Sequence, residues 1–594
     1  MSRYHITTAI AVASAALTFS FSSASAQMGQ PGGQPGGGLP TGPRPVGGDS
    51  EGVAEQAPKK LGALPTTPVL PAPKESRKQL RVFSLDGYFR LRTDWMKKLD
   101  LGFSDDPALG GAPAPNPLGC DPDALRGCKN SYGAANVRLR LEPIVHLDER
   151  SSVHMQVDVL DNLVLGSTHE GNGGTSDLPV GLFGDSQRPQ QAGVNSVGDS
   201  IVVKRAWAEV DAPFGVLKFG RQPWQWGMGM FANGGGQDPI HGTYNLDADS
   251  GDTVDRVSFS AAIPGTTLKA GLAVDWSLTG PTTAQTGEES GNDRQTWDAD
   301  DKDDLDQWLL MLTHVDSPTR IADMLAEGEM VLNYGAFMAY RTQSYEQLAL
   351  TFGETPAGTD YVRRDLKSYV PNAWIHFARG PLDIEAEAMA ILGTFVAPEL
   401  GNVLDVDLRQ YGGVARLKYR LMEDDLVIGL EGGFASGDRH DNVVPGRTHV
   451  SGAVGLGPND TKIQQFMFDP NYHVDLILFR ELLGTVSNAI YGKGSFSYDL
   501  SSKFQVRGAG ILSAAHRKEA TPGNSDLYGV EFDADVGYHN DGFFAGISYG
   551  LFLPFGAMDH PGDPTDGSAG FGFGALDQSA DTAQTIQTRL VLQF

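Results

Sequence analysis

Cysteine, basic charge and long apolar runs are what this sequence has little of, and each shortage removes a class of protein. Two Cys in 594 residues, Cys120 and Cys128, exclude a disulfide-dense scaffold and a thiolate metal cluster. The 46 Lys and Arg against 73 Asp and Glu leave a formal charge of -27, the opposite of the basic footprint that nucleic acid needs. After the opening residues no apolar stretch approaches the roughly 20 residues of a membrane-spanning helix. No Gly-x-Ser-x-Gly elbow, His-Glu-x-x-His, phosphate-binding loop or set of paired metal ligands stands out, so no enzyme chemistry, cofactor or metal is implied. Ser152, His154 and Asp158 are close in sequence, but a period of two puts all three on one strand face, which suits a polar lining better than a triad. No linker-like break follows residue 80, although a soluble chain of this length would ordinarily divide.

What is present begins with a secretion signal. Arg3 and His5 precede an apolar stretch from Ile6 to Phe21, and Ala24-Ser25-Ala26 forms a small-residue cleavage site, so residues 1–26 read as a signal peptide. Residues 27–80 are dominated by Pro and Gly, with too few large apolar groups to offset ordering entropy, and read as a disordered leader. From 81 to 594 the pattern is that of one β-domain. Phe83, Leu85, Phe89, Leu91 and Trp95 alternate with Ser84, Asp86, Tyr88, Arg90, Arg92 and Asp94; Leu382, Ile384, Ala386 and Ala388 alternate with Asp383, Glu385 and Glu387. Such segments recur to the end of the chain.

A soluble sandwich also alternates, so the connections decide. Short turns at Asp148-Glu149-Arg150, Ala212-Pro213-Phe214, Arg379-Gly380 and Asn540-Asp541-Gly542 alternate with long loops at 96–134, 163–200, 280–305 and 436–484. Only the short-side connection around Pro318 to Glu327 is longer. Short turns at one end and long loops at the other imply an all-β, antiparallel up-and-down transmembrane barrel of about eighteen strands (16 to 18). An even count places both ends of the barrel on the periplasmic side. In hydrocarbon each unpaired backbone group costs several kcal/mol, so the sheet must close on itself. At this strand number closure leaves an aqueous lumen.

The last ten residues form one complete strand of this kind: Ile586, Thr588, Leu590, Leu592 and Phe594 share a face opposite Gln587, Arg589 and Gln593. This ending resembles the closing strand of bacterial outer-membrane barrels, which implies that Leu590, Leu592 and Phe594 are read by the barrel-assembly machinery. The hairpin from Lys204 to Gln222, with Arg205-Ala206-Trp207, a Phe214-Gly215 turn and Gly220-Arg221-Gln222, resembles the paired strands of general porins. Over a wider span, Arg138 to Pro143, Val157 to Gly166, Phe468 to Arg480 and the barrel end resemble a group of uncharacterised, predicted outer-membrane proteins of myxobacteria. That resemblance implies a fold and a location without a mechanism.

Candidate site residues follow from the barrel. Arg90 and Arg92 are expected beside Arg138 and Arg140, and closure brings Arg589 to them. Two readings of this arc stand: a constriction favouring anions, or structural neutralisation by Asp86, Asp94 and Glu142. Asp383, Glu385 and Glu387 face Arg416, Lys418 and Arg420 across a turn, either lining the pore or forming a salt-bridge ladder. Cys120 and Cys128 are expected to close a loop as a disulfide, worth about 2 to 3 kcal/mol. The run Asp298, Asp300, Asp301, Asp303, Asp304, Asp306 reads as a solvated acidic loop in preference to a divalent-cation site. Tyr472 to Leu483 is too apolar for a solvated loop, and either folds inward as a short helix that narrows the pore or packs on the rim or a neighbouring subunit. The function expected is an outer-membrane channel for passive diffusion of small hydrophilic solutes. A non-conducting barrel for adhesion, surface binding or envelope structure comes second, and an outer-membrane hydrolase third. Expected partners are outer-membrane lipid, the assembly machinery, small solutes and a second copy of the chain.

Overall fold

The computed structural model describes residues 82–102, 131–165, 201–235, 251–277, 305–347, 361–396, 405–438, 461–540, 542–559 and 579–594. The signal peptide, the Pro/Gly-rich segment, Cys120, Cys128 and Asp298 to Asp304 lie outside these residues. The strands are β1 (Phe83–Lys97), β2 (Ser131–His146), β3 (Ser151–Val164), β4 (Ile201–Ala212), β5 (Gly215–Pro223), β6 (Thr253–Ala262), β7 (Lys269–Ser277), β8 (Leu305–His314), β9 (Val331–Gln347) and β10 (Tyr361–Arg379). They continue as β11 (Leu382–Val396), β12 (Asp405–Leu421), β13 (Leu426–Ala435), β14 (Lys462–Ile463), β15 (Ala489–Asp499), β16 (Phe504–Ala515), β17 (Leu527–Asn540), β18 (Phe543–Pro554) and β19 (Ala583–Gln593). All but the two-residue β14 pair antiparallel with their chain neighbours, and β1 pairs with β19, closing a barrel of 18 strands.

The seam is set residue by residue. Leu91 lies opposite Leu590 and Trp95 opposite Ile586, and Phe594 exchanges two backbone hydrogen bonds with Gly87, at 3.0 and 3.1 Å. Gly87 has to be glycine: a Cβ there would lie 2.3 Å from the Arg140 carbonyl oxygen and 3.0 Å from the Phe594 ring. The ring therefore covers a gap in the sheet that no side chain of β1 can fill.

Alternation sorts the wall into two chemistries. Leu272, Trp276, Leu310, Leu430, Leu512, Phe532, Ile547 and Leu592 are exposed on the outer face, while Arg90, Arg138, Asp158, Arg256, Asp275 and Glu385 are buried inside. Aromatic rings meet between neighbouring strands at both rims, Trp308 stacked on Tyr340 and Tyr340 tilted against Tyr369 near the long loops, and Phe504 tilted against Tyr538 near the short turns. An apolar belt between aromatic girdles is the outer surface of a barrel that sits in a bilayer.

Alternation alone places strands near residues 215–225, 329–342, 370–378 and 485–499, among others, and the structure shifts the bounds of these four. β10 begins at Tyr361, well before the expected residue 370, because a register shift between Arg363 and Leu366, with Asp365 at φ 44°, hides the alternation behind a polar run. β9 runs on to Gln347, β5 stops at Pro223, and β15 starts at Ala489. The longer short-side connection folds as helix α1 (Pro318–Ala326), with Ser317 accepting from the Arg320 N–H and Pro at its first turn. Its Ile321 packs on Val331 and Ala378.

Deleting Phe594 removes two seam hydrogen bonds, about 2 kcal/mol in all, together with the cover over Gly87. The heat-modifiable, protease-resistant fraction in outer membranes is expected to fall several-fold, and Gly87→Val, which obstructs the same seam, is expected to do likewise.

Candidate functional site: two loops inside the barrel

The lumen is occupied by two inward segments. The first, 224–235, follows β5. Trp224, Trp226, Met228, Met230, Phe231 and Ala232 are all buried, and the segment turns on itself through Trp226 N–H to Ala232 O at 3.1 Å and Gly229 N–H to Trp226 O at 2.9 Å. Glu387 of β11 receives the Met228 N–H at 2.8 Å and the Met230 N–H at 3.5 Å, while its other oxygen accepts from Asn372 Nδ2 at 2.9 Å. Asn372 Oδ1 in turn accepts from Trp226 Nε1 at 2.7 Å. Gly227 makes this approach possible: its φ is +49°, and a Cβ would lie 2.8 Å from Glu387 Oε2.

The second segment, 464–488, is the apolar stretch between β14 and β15. It folds inward, with a buried π-helical turn at Leu478–Leu482. Glu531 of β17 accepts three of its backbone N–H groups, from Leu476 at 2.9, Ile477 at 2.7 and Leu478 at 2.9 Å. Lys493 of β15 donates to the Val474 carbonyl at 2.6 Å. Glu431 of β13 accepts from Tyr472 at 3.1 Å and Tyr491 at 2.7 Å on one oxygen and from Arg416 Nε at 2.7 Å on the other. Arg416 also donates to the Tyr472 hydroxyl at 3.0 Å. Within the segment, Asp475 accepts from the Phe479 N–H at 3.0 Å and the Arg480 N–H at 3.2 Å. Burial pushes the Asp475 carboxyl up to about 6, against those N–H groups and Lys493, which hold it down.

The two segments meet. Asp469 N–H donates to Met230 O at 2.7 Å, Asn233 Nδ2 to Asn471 O at 3.2 Å, and Phe231 stacks on Phe466 with centroids 6.3 Å apart. Their apolar side chains form one core with Met96, Phe337, Val414, Ile511 and Phe552 of the wall. Beneath the second segment a chamber of about 350 Å³ is left. Its lining carries both signs of charge, with Arg416, Lys493, Arg507 and Arg589 against Asp475, Asp533 and Asp535.

The expected site residues fall into three groups. The arginine arc is brought together: Arg90 pairs with Arg138 across β1 and β2, Tyr88 with Arg140, and Arg92 with Arg589 across the seam. Its acids differ in part from those expected. Asp94 meets Arg92 at 3.1 Å and Arg589 at 2.6 Å, but Arg140 takes Asp158 of β3 in two bonds of 2.7 Å, and Glu142 accepts from Gln156. In the second group Arg416 lies 3.9 Å from Glu385 and Arg420 3.5 Å from Asp383, while Lys418 faces the chamber. Glu387 is opposite Val414 and serves the first inward segment, so the expected ladder has two rungs there and a loop anchor. The third group, Leu590, Leu592 and Phe594, points out to the membrane. Asp306, the one described member of the acidic run, is the second residue of β8, on the outer face opposite Thr342.

The 224–235 segment escapes a sequence reading because Trp224 and Trp226 continue the alternation of β5. Its Gly-x-Gly interruption at Gly227 and Gly229 is the signal that could mark it. Glu431 and Glu531 alternate normally in their strands, and nothing local distinguishes a loop anchor from a lumen charge.

A closed, lipid-facing antiparallel barrel with a charged interior defines a bacterial outer-membrane barrel protein, located in the outer membrane. No family model and no curated protein matches the chain. Among solved structures it is similar to OccAB3 of Acinetobacter baumannii, at 10% identity and TM-score 0.41, over 86% of this chain and 99% of that one. It is also similar to OccK11 of Pseudomonas aeruginosa, at 9% identity and TM-score 0.39, over 86% and 96%. The outer membrane channel DcaP of Acinetobacter baumannii is a third, at 10% and 0.35, over 86% and 97%. Neither the identity nor the superposition is close enough to transfer a solute or an activity.

Glu531→Ala leaves three N–H groups, two of them buried, without their acceptor, a loss of about 3 kcal/mol of local stability. Hydrogen exchange at Leu476, Ile477 and Leu478 is expected to speed up roughly 100-fold, with Glu531→Gln in between.

Proposed function

We propose that the protein is an outer-membrane channel for small hydrophilic solutes, in which the two inward segments restrict passive diffusion. The observation that carries this reading is the chamber under the second segment, where half-buried Asp533, Asp535, Arg507, Ser495 and Gln505 keep polar groups of both signs toward a water-accessible space. An apolar or lipid cargo would find no lining there; a small hydrated solute would. Selectivity in such a channel follows lumen charge rather than net charge, so the arginine arc adds a preference for anions that Asp94 and Asp158 reduce. No catalytic step is part of this reading. The finer assignments belong to it as well: secretion through residues 1–26, a Cys120–Cys128 bridge, Phe594 as the assembly label, and kinship with the myxobacterial group.

A non-conducting barrel is the second reading, favoured by the continuous apolar core that ties both segments to the wall. Single-channel recording in planar bilayers separates the two. The wild-type protein is expected to give small, steady steps, and replacing 470–484 with a short Gly-Ser linker is expected to enlarge them several-fold. Silence from both, in heat-modifiable protein, would sink the channel reading.

Replacing Arg90, Arg92, Arg138 and Arg140 with Ser is expected to move the reversal potential toward cation preference. An unchanged potential would mean that the arc is structural.

A further inference from the structure

We propose that the two inward segments are latched to each other by a proton shared between Asp252 and Asp469, so that raising the pH parts them and widens the lumen. The proposal rests on the channel reading for its consequence but not for its geometry. Asp252 stands at the foot of the first segment, just before β6. Its N–H donates to Asn233 O at 2.7 Å and its Oδ2 accepts from the Asn233 N–H at 3.0 Å. Asp469 belongs to the second segment, where its Oδ1 accepts from Asn471 N–H at 2.8 Å and Nδ2 at 3.1 Å. Its Oδ2 is buried and makes no hydrogen bond of its own, and the Asp252 carboxyl is its electrostatic neighbour, with the Asn233 N–H that Asp252 accepts also acting on Asp469. Asp252 is 9% exposed and Asp469 1%.

Two buried carboxyls that interact this strongly are not both ionised; one proton between them satisfies both. The other joints between the segments among the described residues are indifferent to pH: Asp469 N–H to Met230 O, Asn233 to Asn471, and Phe231 on Phe466. The cation facing the pair is Arg205 of β4, whose guanidinium donates to Gly234 O and Asp252 O at 3.1 Å and to Thr253 at 2.9 Å. It favours ionisation but is engaged with backbone. Burial outweighs it, pushing Asp252 well above the usual carboxylate range and Asp469 up to about 6. Farther along the second segment Asp475 is also raised, facing Lys493, Arg480, Glu531 and Asp533. Its oxygens accept N–H groups of its own segment, so its titration does not act on the joint.

The sign follows from linkage. A carboxyl raised in the latched state stabilises that state at low pH, and the stabilisation is lost as pH climbs through the raised value. Wild-type conductance is therefore expected to rise roughly threefold between about pH 6 and about pH 9. In Asp469→Asn the amide donates to Asp252 at every pH, so conductance should stay at its low value. Asp252→Asn tests the same joint from the other side should the first variant fold poorly, and Asp475→Asn should keep the step. Acrylamide quenching of tryptophan emission, which reports exposure of Trp224 and Trp226, is a second readout that needs no current. A step retained in both pair variants, a step abolished only by Asp475→Asn, or a step that follows added calcium at fixed pH would each overturn the latch. If no current flows at any pH, the channel reading falls and quenching alone decides. A pH-dependent rise in the wild type that Asp469→Asn removes upholds the latch, and equal profiles overturn it.

Discussion

Hydrocarbon offers no hydrogen-bond partner to a peptide group, and from that constraint the rest of this barrel follows. A single open edge among eighteen strands would strand a row of N–H and C=O groups in lipid. The seam between β1 and β19 is therefore the place where the fold is completed, and it is sealed by the far ends of the barrel domain. Leu590 against Leu91 and Ile586 against Trp95 fix the register by pairing apolar side chains on the outer face. The same register carries Arg589 to Arg92 and Asp94 on the inner one. A slip of one residue would exchange these faces and bury arginine in lipid. The outer pattern and the inner charges are two consequences of one alignment.

Closure at this strand number creates a second problem, a wide polar interior that the chain then fills with its own backbone. An inward segment brings N–H groups that neither sheet nor bulk water can satisfy. Acidic side chains of the wall satisfy them here: Glu387 takes two N–H groups of the first segment, and Glu531 takes three of the second. A carboxyl group suits the task because its two oxygens accept several N–H groups at once. Some of the acid in a chain of charge -27 thus holds loops instead of meeting solvent or solute.

The sequence makes the architecture legible because its rule is local. Each strand announces itself by a period of two, and the contrast between the Arg379-Gly380 turn and the 436–484 loop separates the two rims. Where the backbone departs from that period, at Asp365 in β10, the boundary is misplaced. The arginine arc is also legible, since adjacency of β1, β2 and β19 follows from closure. The interior is not. Glu385 and Glu387 are indistinguishable in sequence, yet one sits 3.9 Å from Arg416 and the other binds the backbone of Met228. What separates them is the path of residues 224–235, which depends on contacts far apart in the chain. The apolar run Tyr472 to Leu483 does reveal that something is buried, because no solvated loop carries so many large side chains.

The distribution of anchors gives the interior an asymmetry. The first segment leans on β10 and β11, through Asn372 and Glu387, and the second on β12, β13, β15 and β17, through Arg416, Glu431, Lys493 and Glu531. Each is tied to its own arc of wall by several buried hydrogen bonds. They are tied to each other by two backbone-directed hydrogen bonds, one ring stack and a pair of acids. If the segments move, the weaker joint opens first, because breaking a wall anchor such as Arg416 with Glu431 would leave a buried charge unpaired, at about 3 to 5 kcal/mol. On the channel reading, passage through this barrel is set less by the barrel than by the contact between two loops that each hold firmly to a different part of it.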